Sequence, residues 1–324
     1  MQVLIRSLSI GRGRVKGFEY FRPLVPALLA ILAFSGCATN RYETPVANFQ
    51  AQTQQSISVL SDFYSSRNSY EIDIYLQGVA ADPTKTVATN DTPLGAPVFS
   101  PASIQARLDA LTLVGVFATR LSDLANTQAP ATFQTAATAL GKNLSSLNTT
   151  FQSLAPSDSF KTANNYVGPI TSLIGAIGQM YLERKRDEMI TNAISQGAQP
   201  VNTILSQLRD DMQLFTAQIA TGAPEKLAEL IQVYNNEDRS KLSFDERSAQ
   251  LAQIKAAAAE ASASVGSAPS GLVTLMINAF NELVQAASKS TKGKPASLAA
   301  LNASLQAWAN ELSSLSSQIK LLVH

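Results

Sequence analysis

Apolar residues in this chain recur at alternating steps of three and four over segment after segment, a spacing that permits little except packed helices. The clearest run is Leu298, Leu301, Leu305, Trp308, Leu312, Leu315 and Ile319. A second joins Phe133, Ala137, Leu140, Leu144, Leu147, Phe151 and Leu154. A third joins Val201, Leu205, Leu208, Met212, Phe215 and Ile219, and a fourth Leu272, Met276, Ala279, Leu283 and Ala286. Ser, Gln, Asn and Thr sit between the stripe members. No helix buries such a seam alone, so the stripes predict an all-α fold, an elongated antiparallel helical bundle with coiled-coil-like packing. No run alternates with the period of a strand, which argues against a sheet.

The spacing predicts helices over 46–79, 101–127, 130–154, 158–196, 200–235, 241–264, 270–288 and 295–322. Pro101, Pro130, Pro200, Pro224, Pro269 and Pro295 fall near the beginnings of helical runs, where a missing amide hydrogen is harmless. Pro224 either starts a fresh helix or kinks a continuous one. Ser157 or Asp158 can cap the fourth segment. Residues 80–100, with Pro83, Pro93, Gly95 and Pro97, make the one long loop, expected to be mobile or a contact surface.

Charge is scarce: 45% of the residues are hydrophobic and 15% charged. Residues 1–36 hold five basic residues, Arg6, Arg12, Arg14, Lys16 and Arg22, and one acidic residue, Glu19. Removing them leaves 20 basic and 23 acidic residues, a net of −3. A weakly acidic body without a basic cluster excludes an electrostatic nucleic-acid binder.

The basic segment is followed by an apolar run from Leu24 to Phe34, interrupted by Pro26. At about 17 Å as a helix it is too short to span a bilayer core, and it reads as a secretory signal peptide. It ends in Phe34-Ser35-Gly36-Cys37, which resembles the lipobox of bacterial lipoproteins. The resemblance implies cleavage after Gly36, with Ser35 and Gly36 as the small residues beside the scissile bond and Phe34 where leucine is commonest. It further implies acyl chains of the palmitate type on Cys37, its thiol taking a diacylglycerol and its new amino group a third chain. Two or more chains make a stable anchor. Ala38 stands where proteins retained in the inner membrane often carry Asp. The resemblance therefore implies the outer membrane facing the periplasm, with the inner membrane and the cell surface as alternatives. The expected organisation is a signal peptide over 1–36, a lipidated N-terminus and spacer over 37–45, and a helical body over 46–324, as one bundle or two packed sub-bundles.

Residues able to carry chemistry are few. Cys37 is the only cysteine and His324 the only histidine, at the last position, so neither a zinc site nor a Ser-His-Asp arrangement can be assembled. No phosphate-binding glycine loop occurs in the body. No metal, cofactor or small-molecule substrate is expected. Tyr70, Glu71 and Asp73 can contact a ligand or peptide, although Glu71 and Asp73, two residues apart, do not share a helix face. More plausible for that group is a surface where a packed Tyr keeps its hydroxyl exposed. Segment 166–180, apolar and containing Gly175 and Gly178, is either a core helix with tight crossings or a membrane-contacting element. The mixed charges from Asn235 to Arg247 fit a solvated turn and the first turn of the following helix, or a partner-specific polar patch, and Trp308 belongs in the core.

These features favour a membrane-anchored, non-enzymatic envelope protein that binds, scaffolds or spaces, its partner another envelope protein or a second copy. Membrane insertion or pore formation through 166–180 is the alternative. An envelope hydrolase would need Glu71, Asp73 or Asp109 to converge in a groove.

Overall fold

The apolar stripes turn inward in the computed structural model, which describes residues 41–324 except 83, 96, 98, 127–149, 153, 156–157, 181–185, 265–267, 289–294 and 322–324. All regular structure among the described residues is helical. The chain runs through α1 (Glu43–Ala81), α2 (Pro101–Ala125), a 3-10 turn (Ser159–Ala163), α3 (Asn164–Met180), α4 (Arg186–Asn236), α5 (Phe244–Ser264), α6 (Ala268–Ser288) and α7 (Pro295–Leu321). Residues 40–324 form one compact unit, an all-α bundle of several helices. Phe34, Ser35, Gly36 and Cys37 lie outside the described residues, as does most of the helix expected over 130–154.

Burial follows the predicted period. Val201, Leu205, Leu208, Met212, Phe215 and Ile219 are all in the core, as are Leu272, Met276, Ala279, Leu283 and Ala286. Leu301, Leu305, Trp308, Leu312 and Ile319 bury the inner face of α7. Phe49 joins Phe280 and Trp308 at centroid distances of 5.8 and 6.0 Å, tying α1, α6 and α7 together. Each such side chain contributes roughly 1.5–3 kcal/mol by leaving water.

Cross-helix contacts fix the directions. Gln54 of α1 donates to the Gly115 carbonyl of α2, and Asn68 brackets the Phe99 backbone just before α2, so these helices are antiparallel. Tyr64 meets Asp211, Arg67 meets Gln218 and Ile74 packs on Gly222, so α1 and α4 run parallel.

Two boundary expectations are corrected. The segment expected as one helix over 158–196 opens with the 3-10 turn before α3, and its last residues belong to α4, with 181–185 outside the described residues. The helix expected to begin at Pro200 begins instead at Arg186 and runs 51 residues through both Pro200 and Pro224. An internal proline costs about 3 kcal/mol, but Ala193, Ile194 and Gly197 before Pro200 and Val201, Ile204 and Leu205 after it are all buried. Their combined burial outweighs the break. At α2 the rule holds: Pro101 opens the helix and the Ser100 hydroxyl accepts the Ser103 N–H at 3.1 Å.

The long loop is tied down. Tyr75 donates to Asp91 Oδ2 at 2.5 Å, the Ala88 N–H donates to the same oxygen at 2.7 Å, and Pro93 is buried. Residues 84–90 remain exposed.

Candidate functional site

Among the described residues several polar side chains are buried in the apolar seams, and two of the charged ones, on α2 and α4, meet. Arg107 occupies an inward position of α2 between Ala106 and Ala110, and Asp211 an inward position of α4 between Leu208 and Met212. Arg107 donates from Nε to Asp211 Oδ2 at 2.6 Å and from Nη2 to Asp211 Oδ1 at 2.9 Å. Tyr64 of α1 donates to the same carboxylate at 3.1 Å. The other side of the guanidinium reaches the Ser103 hydroxyl at 2.7 Å and Asp158 at 3.3 Å, and Ser103 in turn donates to Asp158 at 2.6 Å. Asp158 also caps the 3-10 turn by accepting the Phe160 N–H, the capping role foreseen for it. Ser157 lies outside the described residues.

This cluster joins α1, α2, the 3-10 turn and α4 around one cation and two carboxylates. Burial and then the Asp211 charge push the Tyr64 hydroxyl well above its ordinary value, so it remains a neutral donor. Burial alone would raise the Asp158 pKa, but bonds from Ser103 and the Phe160 amide, with the Arg107 charge, hold it below the usual carboxylate range. The Phe99 and Phe160 rings flank the guanidinium with centroids at 5.7 and 5.1 Å. Carboxylates held by a permanent cation make poor bases, and Ser103 donates its proton to one of them. The arrangement is a clamp.

A further buried charge is Arg67, 2% exposed, between the Tyr70 and Phe215 rings at 5.2 and 5.5 Å. It pairs with Glu71 and donates to Gln218 at 2.8 Å. Lys226 of α4 and Glu260 of α5 form an ion pair at 2.9 Å.

The group Tyr70, Glu71 and Asp73 does not form one site. Contrary to the expectation of an exposed hydroxyl, the Tyr70 oxygen is buried, because Tyr70 continues the seam of Phe63, Tyr64 and Arg67. Glu71 is engaged by Arg67, Asp73 is exposed, and Asp109 accepts from Gln105 on its own helix. On α3, Val167, Ile170, Leu173, Ile174 and Ile177 face the core, whereas Asn165, Gly168, Pro169, Ser172 and Gly175 face outward. Gly178 lies in the last turn of α3. The stretch Phe244–Ser288 is long and apolar enough to cross a membrane by length and composition, and 64% of its most apolar window is buried in the bundle. Among the described residues no three His, Cys, Asp or Glu side chains are grouped to hold a metal ion.

The most exposed element is the hairpin of α4 and α5. No residue from Pro224 to Ala256 is buried. Between Glu225 and Lys255, 11 of 31 residues are charged, against 15% for the chain. At its tip Phe244 is 74% exposed, with Ile231 and Leu251 exposed along its sides. The turn is firmly built: the Ser243 hydroxyl accepts the Glu246 N–H at 3.2 Å while Glu246 accepts the Ser243 N–H at 2.7 Å. The pattern Ser243-x-x-Glu246 was the signal for this helix start, missed in favour of the charges around it. Comparison with family models, with curated proteins and with solved structures finds no match to this chain.

Proposed function

We propose that the chain is a membrane-anchored lipoprotein of the cell envelope that acts by binding, scaffolding or spacing. The observation that carries this reading is Phe34-Ser35-Gly36-Cys37 at the end of a short apolar run, only five residues before Tyr42. Acylated Cys37 would hold the start of α1 near a bilayer, with the periplasmic face of the outer membrane as the favoured site. An elongated bundle would then serve as the spacer. The 39 residues of α1 rise about 58 Å, and Ile74 and Gly78, near the far end of α1, lie against the base of the α4–α5 hairpin. The hairpin is the element best suited to meet a partner, either an envelope protein or a second copy. It carries both the densest charge and the most exposed aromatic residue, and mixed charges favour a specific protein partner over an anionic polymer.

Intact mass spectrometry of membrane-extracted protein tests the anchor. Loss of residues 1–36 with two or three acyl chains on Cys37 is expected, and an unmodified full-length chain would overturn it. Crosslinking from Phe244 and Leu251 tests the presenting role, with loss of the crosslinked species expected on Phe244→Asp. Dye release from vesicles by the mature body would instead favour membrane insertion.

A further inference from the structure

The hairpin of α4 and α5 turns one broad face toward the bundle and the other toward water. Gln250 donates to Glu237 at 2.6 Å near the turn, and Lys226 donates to Glu260 at 2.9 Å near the base. The two helices therefore run antiparallel in one register. Half-buried Leu230 and Val233 of α4 and Gln250 and Ile254 of α5 mark the seam between them. Gly222 and Glu229, a heptad apart on α4, turn toward Ile74 and Gly78 of α1.

Apolar side chains come out on the opposite face. Ile231 follows Leu230 by one residue and Leu251 follows Gln250 by one, each about 100° round its helix in the same sense. Antiparallel helices that turn the same way from a shared seam emerge on the same side. Phe244, a heptad before Leu251, joins them. Glu229 lies about 100° the other way from Leu230, on the side that α1 covers. Ile231, Leu251 and Phe244 are all exposed, in a row about 17 Å long. Lys255, level with Ile231, borders the row, and its stem can lie along it with the charge in water.

We propose that this open face is where two copies of the chain meet, hairpin on hairpin, as four helices about a two-fold axis. An apolar row on a two-helix layer is completed by a second such layer. Charge permits it: residues 225–255 hold six acidic and five basic side chains, so two copies do not repel. The same balance gives no attraction for a phosphate polymer or an anionic headgroup. The face measures roughly 20 Å by roughly 20 Å, about 400 Å² per copy, about half of what each partner of a stable dimer buries. The pair is therefore weak in solution, with a dissociation constant on the order of 100 µM. This rests on the presenting role proposed above for the hairpin, and a tether at Cys37 would offset the weakness by confining the copies together.

Sedimentation equilibrium of the Cys37→Ser body tests this without lipid, so its outcome stands apart from acylation. A monomer–dimer equilibrium is expected, populated between about 10 and about 500 µM. Ile231→Asp and Leu251→Asp should each weaken it about tenfold or more, since either sets an unpaired charge in the contact. Leu214→Asp, at an exposed leucine elsewhere on α4, should leave it unchanged. Urea midpoints equal to the parent's verify that these exposed-site variants stay folded. A monomer throughout that range, an open series of larger species, or equal weakening by Leu214→Asp would each overturn the pairing. An unmodified Cys37 by mass spectrometry beside a persistent dimer would sink the anchor and leave the pairing standing.

Discussion

Arg107 meets Asp211 edge to edge across α2 and α4, with two bonds of 2.6 and 2.9 Å between side chains only 3% and 5% exposed. Removing one partner strands the other charge in the core, whereas removing both does not. Asp211→Leu or Arg107→Met alone is expected to cost about 3–5 kcal/mol. The double variant should recover much of that loss. Urea denaturation of the Cys37→Ser body checks this, and strictly additive losses would show that the clamp is not coupled.

Asp158 carries the acid side of stability. Its folded pKa lies below its ordinary value, so the stability it contributes is complete above about pH 4 and is lost as pH falls through the lower folded value. Asp158→Asn should lower stability at neutral pH and flatten the acid limb of a denaturation series. An unchanged acid limb would assign that slope to other carboxylates.

The alkaline side belongs to buried tyrosines. Tyr70 has a raised folded pKa, from burial first and the Glu260 charge second. Its stabilising contribution is therefore present below about pH 10 and is lost as pH rises above that value and the unfolded chain ionises. Tyr70→Phe removes the group that ionises and should make the alkaline decline shallower. Tyr64, raised more strongly, keeps the remainder of the slope. Denaturation midpoints between pH 8 and about 11 provide the readout.

The bundle was legible because burial obeys a period, and a period survives in one dimension. The polar clamp was harder to read because its members are distant in sequence: Arg107 and Asp211 are 104 residues apart. Yet each carried a local sign. Arg67, Arg107 and Asp211 all occupy seam positions where Leu or Ala would continue the stripe, and a charge in the seam must find a partner inside. Asp211 is hard to single out because Arg209 and Asp210 beside it are charged and partly or fully exposed, so the run alone does not say which member turns inward. Pro200 misled for the opposite reason. A local helix-start rule was applied where packing on both sides decided.

The hairpin turn rests on Ser243. Ser243→Ala removes the hydroxyl that accepts the Glu246 amide, and such a cap is worth about 1 kcal/mol. The loss should be confined to the hairpin, because no residue from Pro224 to Ala256 is buried. Faster amide exchange over the first turns of α5 with an unchanged global urea midpoint is expected. A shifted midpoint would mean that the hairpin and the bundle unfold together.

Two glycines on packed helices should respond in opposite directions to the same substitution. At Gly197 of α4 an added Cβ would lie 2.6 Å from Phe117 Cζ and 3.3 Å from Leu173 Cδ2, so α2 and α3 both crowd the position. The Phe117 ring is itself fixed, with Phe280 edge-on at a centroid distance of 5.9 Å, and has little room to retreat. Gly197→Ala should therefore destabilise by about 1–3 kcal/mol, the usual cost of overpacking, despite the better helix propensity of alanine. Gly175 of α3 has nothing within 4 Å of the same added atom, and it faces outward. There only the backbone term operates, and Gly175→Ala should stabilise by about 0.5–1 kcal/mol. Thermal and urea midpoints of the two variants decide the matter: equal shifts of one sign would mean that the Gly197 crossing is looser than its contacts indicate.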